Sequence, residues 1–362
     1  MASIKGSADV VIIGGGVIGL TIARALALRG VRDVLLVERS RLGTEASFAA
    51  AGMLVPQAEA DAQDDFFNLT CQSRDLYPSF AAALREETGI DVELDTTGTL
   101  YLALSEHDQE ELKARYEWQT RAGLEVEMLT VAAARELEPC ISEATAGALL
   151  FPKDMQIENR RLLTALANSA NKLGVTIVTQ TSVDSLLIEG DRVTGVQTSR
   201  GVISCAVAVI AAGCWSGFIR SSAPCKIPQI EPVRGQIICL EAKPQLTRHV
   251  IYSPRGYIVP RQDGRLLAGS TSERAGFAKC VTAGGISTIL RNALEISPAI
   301  ADLPVVDTWA GLRPRAADGL PVLGACDEIE GLFYATGHYR NGILLAPLTG
   351  ELISKSIVSS QR

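Results

Sequence analysis

Gly14, Gly16 and Gly19 fall at the spacing G-x-G-x-x-G, and an acid, Glu38, closes a later apolar run. These residue types suit one kind of chemistry. The first glycine makes a tight turn, the second lets backbone N–H groups approach a pyrophosphate, and the third lets helix and strand pack closely. The start of the following helix offers unpaired N–H groups to the anion, and a carboxylate such as Glu38 accepts hydrogen bonds from a ribose. The motif alone is weak, and its context decides. Val10 to Ile13 is a β-branched run, Val17 to Arg29 reads as a helix, Gly30 stands at its C-terminal cap, and Val34 to Val37 reads as a second strand. The expectation is a βαβ unit that binds a dinucleotide.

The bulk properties narrow the class. The chain has 362 residues, enough for two domains. Hydrophobic residues make up 47% and charged residues 21%, the balance of a folded globular protein. The net charge of -7, with no long basic run, argues against nucleic acid as a partner. Eight scattered cysteines without C-x-x-C, and only three histidines, predict no metal site and reduced thiols in a cytoplasmic protein. The N-terminus does not read as a signal peptide. The longest apolar candidate, Cys205 to Trp215, is too short to span a membrane.

Further along, Ala46 to Gly52 is a run of small residues that lets backbone approach a flat ring or simply packs a helix start. Ser105 and Asp108 form a capping box, with Leu112 and Tyr116 on one face behind it. Arg161 to Lys172 reads as a helix, followed by strands at Val175 to Val178, Val183 to Ile188 and Val193 to Thr198. Ala206 to Ile210 is a buried strand running into Ala211, Ala212 and Gly213. Ile251 to Pro260 and Leu266 to Ala268 flank Asp263-Gly264, a hairpin signal. Pro304 to Trp309 reads as a strand returning to the cofactor domain. Strand Leu332 to Thr336, a glycine-bounded turn and helix Ile343 to Val358 close the chain. The fold class expected is α/β: a Rossmann-like cofactor domain (1–58, 145–225, 305–362) interleaved with an antiparallel-sheet α+β substrate domain (59–144, 226–304).

These motifs resemble the D-amino-acid oxidase group of FAD flavoproteins, above all its glycine oxidase branch linked to thiamine synthesis. The pieces that carry the likeness are V-I-G-G-G-V-I-G-L, A-A-A-G-M-L-V-P at Ala49 to Pro56 and P-V-R-G-Q at Pro232 to Gln236. Y-I-V-P-R at Tyr257 to Arg261, T-W-A-G-L-R-P at Thr308 to Pro314 and G-H-Y-R-N-G-I-L-L-A-P at Gly337 to Pro347 complete it. The resemblance implies non-covalent FAD, O2 as acceptor with release of hydrogen peroxide, a small amine or amino-acid substrate, and a homo-oligomer, often a tetramer. For the cofactor it implies Gly14, Gly16, Val17, Ile18, Gly19, Glu38, Arg39, Ala46, Ser47, Ala50, Ala51, Gly52 and Met53. From the later segments it adds Val183, Ala212, Gly213, Trp215, Gly311, His338, Arg340, Asn341, Gly342, Ile343 and Leu344.

For the reaction, Arg313 is the candidate clamp for a substrate carboxylate, because a guanidinium matches that group bidentately and stays charged. Spacing alone leaves equally open a pairing of Arg313 with a structural acid. Tyr257 shares the carboxylate or is a core tyrosine. Arg340 binds the carboxylate or braces the flavin loop. No general base is assigned. His338 reads as part of a tight cofactor loop, and His107 and His249 as solvated. Arg255 and Ser272 stand where the family carries His and a larger apolar residue. With Met53, they imply a roomier, more cationic pocket open to an N-substituted dianionic glycine. Competing readings are a quinone-linked D-amino-acid dehydrogenase and a non-catalytic flavoprotein.

Overall fold

The computed structural model describes residues 6–360. Among these residues the chain forms sheets of nine, eight and two strands. Ser7–Ile13, Val34–Val37, Thr176–Val178, Gly201–Ile210 and Leu332–Thr336 form a parallel core in the largest sheet. Val183–Glu189 and Arg192–Thr198 extend it as an antiparallel meander. The first strand is apolar on both faces because both are covered. Val10 and Ile12 face the helices Val17–Leu28, Asn159–Lys172 and Gly342–Ser360, whereas Val11 and Ile13 face the core beneath the meander.

The eight-stranded sheet is built around Glu231–Glu241, with Val305–Arg315 on one side and Arg265–Gly269 on the other. Alternation decides which residues meet the site. Ile238, Ile258 and Leu266 pack with the helix Ala283–Ile296, while Ile237, Tyr257 and Leu267 face the other way.

Several expectations shift. The predicted strand over Ile251 to Pro260 is two, Val250–Ser253 and Gly256–Pro260, paired as a hairpin. Pro254 lacks an N–H and sits in the turn between them. The strand predicted over Pro304 to Trp309 runs from Val305 to Arg315 and pairs with Glu231–Glu241 in the eight-stranded sheet. Gly147–Phe151 pairs in that sheet too, though the sequence placed both segments in the cofactor part. Conversely, Tyr77, Ala81 and Leu84, expected in the substrate part, bury themselves in the core of the nine-stranded sheet. The predicted capping box is half-formed: Ser105 Oγ accepts from Asp108 N, but the Asp108 carboxylate accepts from Leu104 N. His249 is buried, not solvated, with Nδ1 2.7 Å from Glu138.

The helix Gly342–Ser360 overturns the expectation about apolar length. Its 19 residues are long and apolar enough to cross a bilayer, although 61% of the relevant window is buried in the fold. It also contains Pro347, which cannot donate to the Ile343 carbonyl four residues earlier. The buried Tyr77 hydroxyl donates to that carbonyl instead, and Ser73 Oγ donates to the next, Leu344 O, at 2.7 Å. Tyr77→Phe should therefore strand a buried acceptor and destabilise the fold by about 1–3 kcal/mol. Urea unfolding monitored by circular dichroism checks this, and an unchanged midpoint would refute the account.

Candidate functional site

A cavity of about 470 Å³ opens between the two large sheets. Every residue expected at the cofactor lines it except Gly19 and Leu344. Gly19 acts from behind: a Cβ there would stand 2.0 Å from Gly14 O, so the glycine sets how closely the helix follows the turn. Gly14 itself has φ +113, a conformation that L side chains rarely adopt. Leu344 is buried in the helical core and does not line the cavity.

Glu38 does not wait free for a ribose. Its Oε2 accepts from Gly15 N at 2.7 Å and its Oε1 from Ser40 N at 2.8 Å, so it also holds the turn. Arg39 lies over the Trp215 ring, 3.6 Å from the centroid, and pairs with Glu45 at 3.0 Å. Ser47 Oγ accepts from Val17 N at the start of the first helix, at 3.0 Å. The second long helix also begins at the cavity, where Asn341, Gly342 and Ile343 line the wall. Two helix N-termini, a guanidinium on an indole and a small-residue run fit a long anionic dinucleotide with a flat ring. His338 lines this wall, buried, with Nε2 3.1 Å from Thr349 Oγ1. Burial pushes its pKa down to about 3, so the ring is neutral.

A pocket of about 120 Å³ adjoins the cavity. Tyr257, Ser270, Arg313, Tyr339 and Arg340 line both, and so form the shared wall. Strand alternation and register bring the first three together. Arg313 stands opposite Val233, and Tyr257 opposite Gly269. The Arg313 guanidinium lies across Gly235, where a Cβ would come within 2.4 Å of it. Its N–H groups reach only neutral acceptors, Thr271 O at 3.0 Å and Ser270 Oγ at 2.7 Å. Among the described residues no acid pairs with Arg313, so the structural-acid alternative fails. Arg340 differs: its Nη2 donates to Glu59 at 2.8 Å and to the Tyr252 hydroxyl at 3.1 Å.

Arg255 and Ser272 line only the smaller pocket. Arg255 is held by Asp108 at 3.8 Å and Glu295 at 3.6 Å, which corrects the expected excess of cationic charge. Met53 lies on the short strand Met53–Leu54 and lines the cavity. Sequence reasoning missed Glu59, Tyr252, Ser270 and Thr271, all polar residues with no motif of their own. It also passed over Arg261, although Y-I-V-P-R includes it. Its Nη2 donates to Ala51 O at 2.6 Å, holding the small-residue run against the cavity.

With the geometry in place, comparison with known proteins decides the family. A family model described as FAD dependent oxidoreductase matches residues 9–356. The chain belongs to that family. FAD is its cofactor, and the chain is an oxidoreductase. It is 38% identical over 348 residues to a glycine oxidase of Geobacillus kaustophilus, covering 96% of this chain and 92% of the relative. It is 36% identical to a bifunctional protein ThiO/ThiG of Trichormus variabilis, covering 98% of this chain but 53% of that protein. A crystal structure of glycine oxidase from Bacillus cereus superposes with a TM-score of 0.91 at 38% identity, over 98% of this chain and 96% of that one.

The buried neutral His338 has a pH signature. The unfolded chain takes up a proton at His338 near pH 6.5 while the folded chain does not until about 3. Its contribution to stability is full above the unfolded value and lost as pH falls towards the folded one, by about 2 kcal/mol at pH 5. Burial of Asp154 lifts its carboxyl to about 7, which acts in the opposite sense. A difference measurement therefore isolates the histidine. The stability gap between wild type and His338→Asn should shrink by that amount from pH 7.5 to 5 in parallel denaturant titrations, and a constant gap would rule it out.

Proposed function

We propose that the chain oxidises glycine and similarly small amines or amino acids. The observation that carries this reading is Arg313: a cation bonded only to neutral acceptors, on the wall shared by the FAD cavity and a small pocket. A guanidinium in that setting receives a carboxylate bidentately. The Tyr257 side chain, on the same face and lining both spaces, supplies a hydroxyl to the same group. Anchoring by the carboxylate turns the substrate Cα towards the cavity, and fixed orientation alone removes several kcal/mol of barrier.

FAD, when bound between the two helix starts, would supply the hydride acceptor for Cα, with O2 as final oxidant and hydrogen peroxide as its product. The remaining contributions belong to the protein. No side chain is needed as base if the amine binds neutral. His338 is tied to Thr349 and Glu59 to Arg340. The helix starting at Gly342 presents its positive end to the cavity. Imine that is not passed on hydrolyses in water to the keto acid and ammonia. The likeness to glycine oxidases supports this substrate class, and the likeness to the bifunctional protein supports delivery of the imine to thiamine thiazole synthesis.

Arg313→Met should leave the yellow cofactor bound but lower kcat/KM for glycine by about 30-fold to several thousand-fold, the cost of about 2–5 kcal/mol for one lost charged partner. The direct test is to add glycine without air, follow the fading of the flavin band, then admit oxygen and measure peroxide. Undiminished turnover in a coloured Arg313→Met protein ends the clamp. Bleaching without peroxide points instead to a dehydrogenase.

A second expectation concerns Gly235. Gly235→Ala places a methyl against the Arg313 guanidinium, so KM for glycine should rise at least tenfold with flavin content unchanged. A normal KM would show that the arginine moves aside freely.

A further inference from the structure

Three arginines, Arg255, Arg313 and Arg340, line the small pocket. Three free cations would draw polyanions, yet the structure cancels two of them. Arg255 faces Asp108 and Glu295 at 3.8 and 3.6 Å. Arg340 faces Glu59 at 2.8 Å. Arg313 alone has only neutral partners.

The Glu59 contact differs from the other in place. Glu59 lines the FAD cavity, and Arg340 lines both spaces, so this pair stands beside the expected substrate and not at the rim. Glu59 Oε1 also lies 3.4 Å from the Tyr252 hydroxyl, which accepts from Arg340 Nη2 at 3.1 Å. The three side chains close on one another. Glu59 ends the short helix Pro56–Glu59, and Arg340 sits in the turn before the C-terminal helix.

We propose that Glu59 sets the charge selectivity of this site: it neutralises Arg340 and leaves Arg313 as the one uncompensated cation among the described residues of the small pocket, so the pocket accepts a single carboxylate and rejects a second. The inference rests on the reading that Arg313 receives the substrate carboxylate. A second carboxylate reaching for Arg340 must displace Glu59 or lie beside its negative charge, and like charges at such range repel. Removing the Glu59 charge turns Arg340 into a vacant anion site next to Arg313. Glu59 thus acts through Arg340, as a positioning residue for specificity.

Binding tests this without turnover. Methoxyacetate and diglycolate share an ether backbone, lack an amine and differ by one carboxylate. Their Kd values follow from perturbation of the flavin absorbance of the holoenzyme at low ionic strength. Wild type should prefer methoxyacetate. Glu59→Gln should shift the Kd ratio at least tenfold towards diglycolate, Glu59→Asp should keep the wild-type preference, and Glu59→Gln combined with Arg340→Gln should lose the gain. The same ordering should appear in kcat/KM for iminodiacetate relative to sarcosine.

A Glu59→Gln protein that holds flavin and keeps the wild-type ratio within threefold overturns the proposal. If that variant does not hold flavin, Arg340→Gln decides. It leaves the Glu59 charge unpaired on the cavity wall and should shift the ratio at least tenfold against diglycolate, and an unshifted ratio overturns the proposal equally. Failure of the oxidase reading shows separately, as wild-type flavin that glycine does not bleach, because the titration does not depend on turnover.

Discussion

The buried guanidinium of Arg261 joins the two halves of this molecule. It leaves the eight-stranded sheet just after Gly256–Pro260 and enters backbone that belongs to the opposite side of the cavity. Nη1 donates to Gln156 Oε1 and Ile157 O, both at 3.1 Å, and Nη2 to Ala51 O at 2.6 Å and Asn159 Oδ1 at 3.3 Å. Only 4% of the residue is exposed, and burial pulls its pKa down to about 10. A cation so enclosed is costly unless its donors are met, and here carbonyls meet four of them. Asn159 in turn donates to Ser47 O and Phe48 O. One side chain thereby fixes the small-residue run, the start of the helix Asn159–Lys172 and the hairpin that bears Tyr257.

That joint explains how the proposed substrate anchor can be precise. Arg313 and Tyr257 sit on strands of one sheet, where register and alternation fix both the position and the face of each residue. Orientation towards the cofactor is then a matter of how the sheet is held, not of each side chain separately. Arg313 is further steadied by Ser270 and Thr271, just past the end of Arg265–Gly269, the strand on the far side of Glu231–Glu241. These acceptors are neutral, so they orient the guanidinium without cancelling its charge. A carboxylate partner would have oriented it equally well and removed its attraction for an anionic substrate.

The legible parts of the sequence were those in which local chemistry and tertiary role coincide. Gly14, Gly16 and Glu38 announce their unit because a turn, a close backbone approach and an acid are all demanded within one βαβ element. The motif singled out Arg313, and among the described residues the structure pairs it with no acid. What was hidden depends on partners far away in the chain. Glu59 and Arg340 lie 281 residues apart, and nothing near either one signals the other. Tyr77 looks like an ordinary helical tyrosine until Pro347, on another helix, leaves a carbonyl for it to serve. The course of Val305–Arg315 was misjudged for a related reason. An apolar run shows that a strand exists, but which sheet takes it is settled by the partner, Glu231–Glu241.

The acids of the cavity bring these arguments together. A site that holds an anionic cofactor should not contain free carboxylates, yet Glu38, Glu45, Glu59 and Asp184 all line it, the last accepting from Ser182 Oγ at 3.0 Å. Each is occupied. Glu38 accepts from Gly15 and Ser40, and Glu45 is held between Arg39 at 3.0 Å and Lys279 at 2.8 Å. Glu59 is held by Arg340 at 2.8 Å. The Lys279 contact comes from the loop that also carries Thr271, so the substrate sheet helps to quench an acid on the cofactor wall. With these charges satisfied, the positive potential left in the cavity comes from two helix N-termini, Arg220 and Arg313. The first helix start suits the pyrophosphate, and Arg313 suits the carboxylate of the proposed substrate. The arrangement is selective because each negative group the fold brings into the cavity arrives with its own donors.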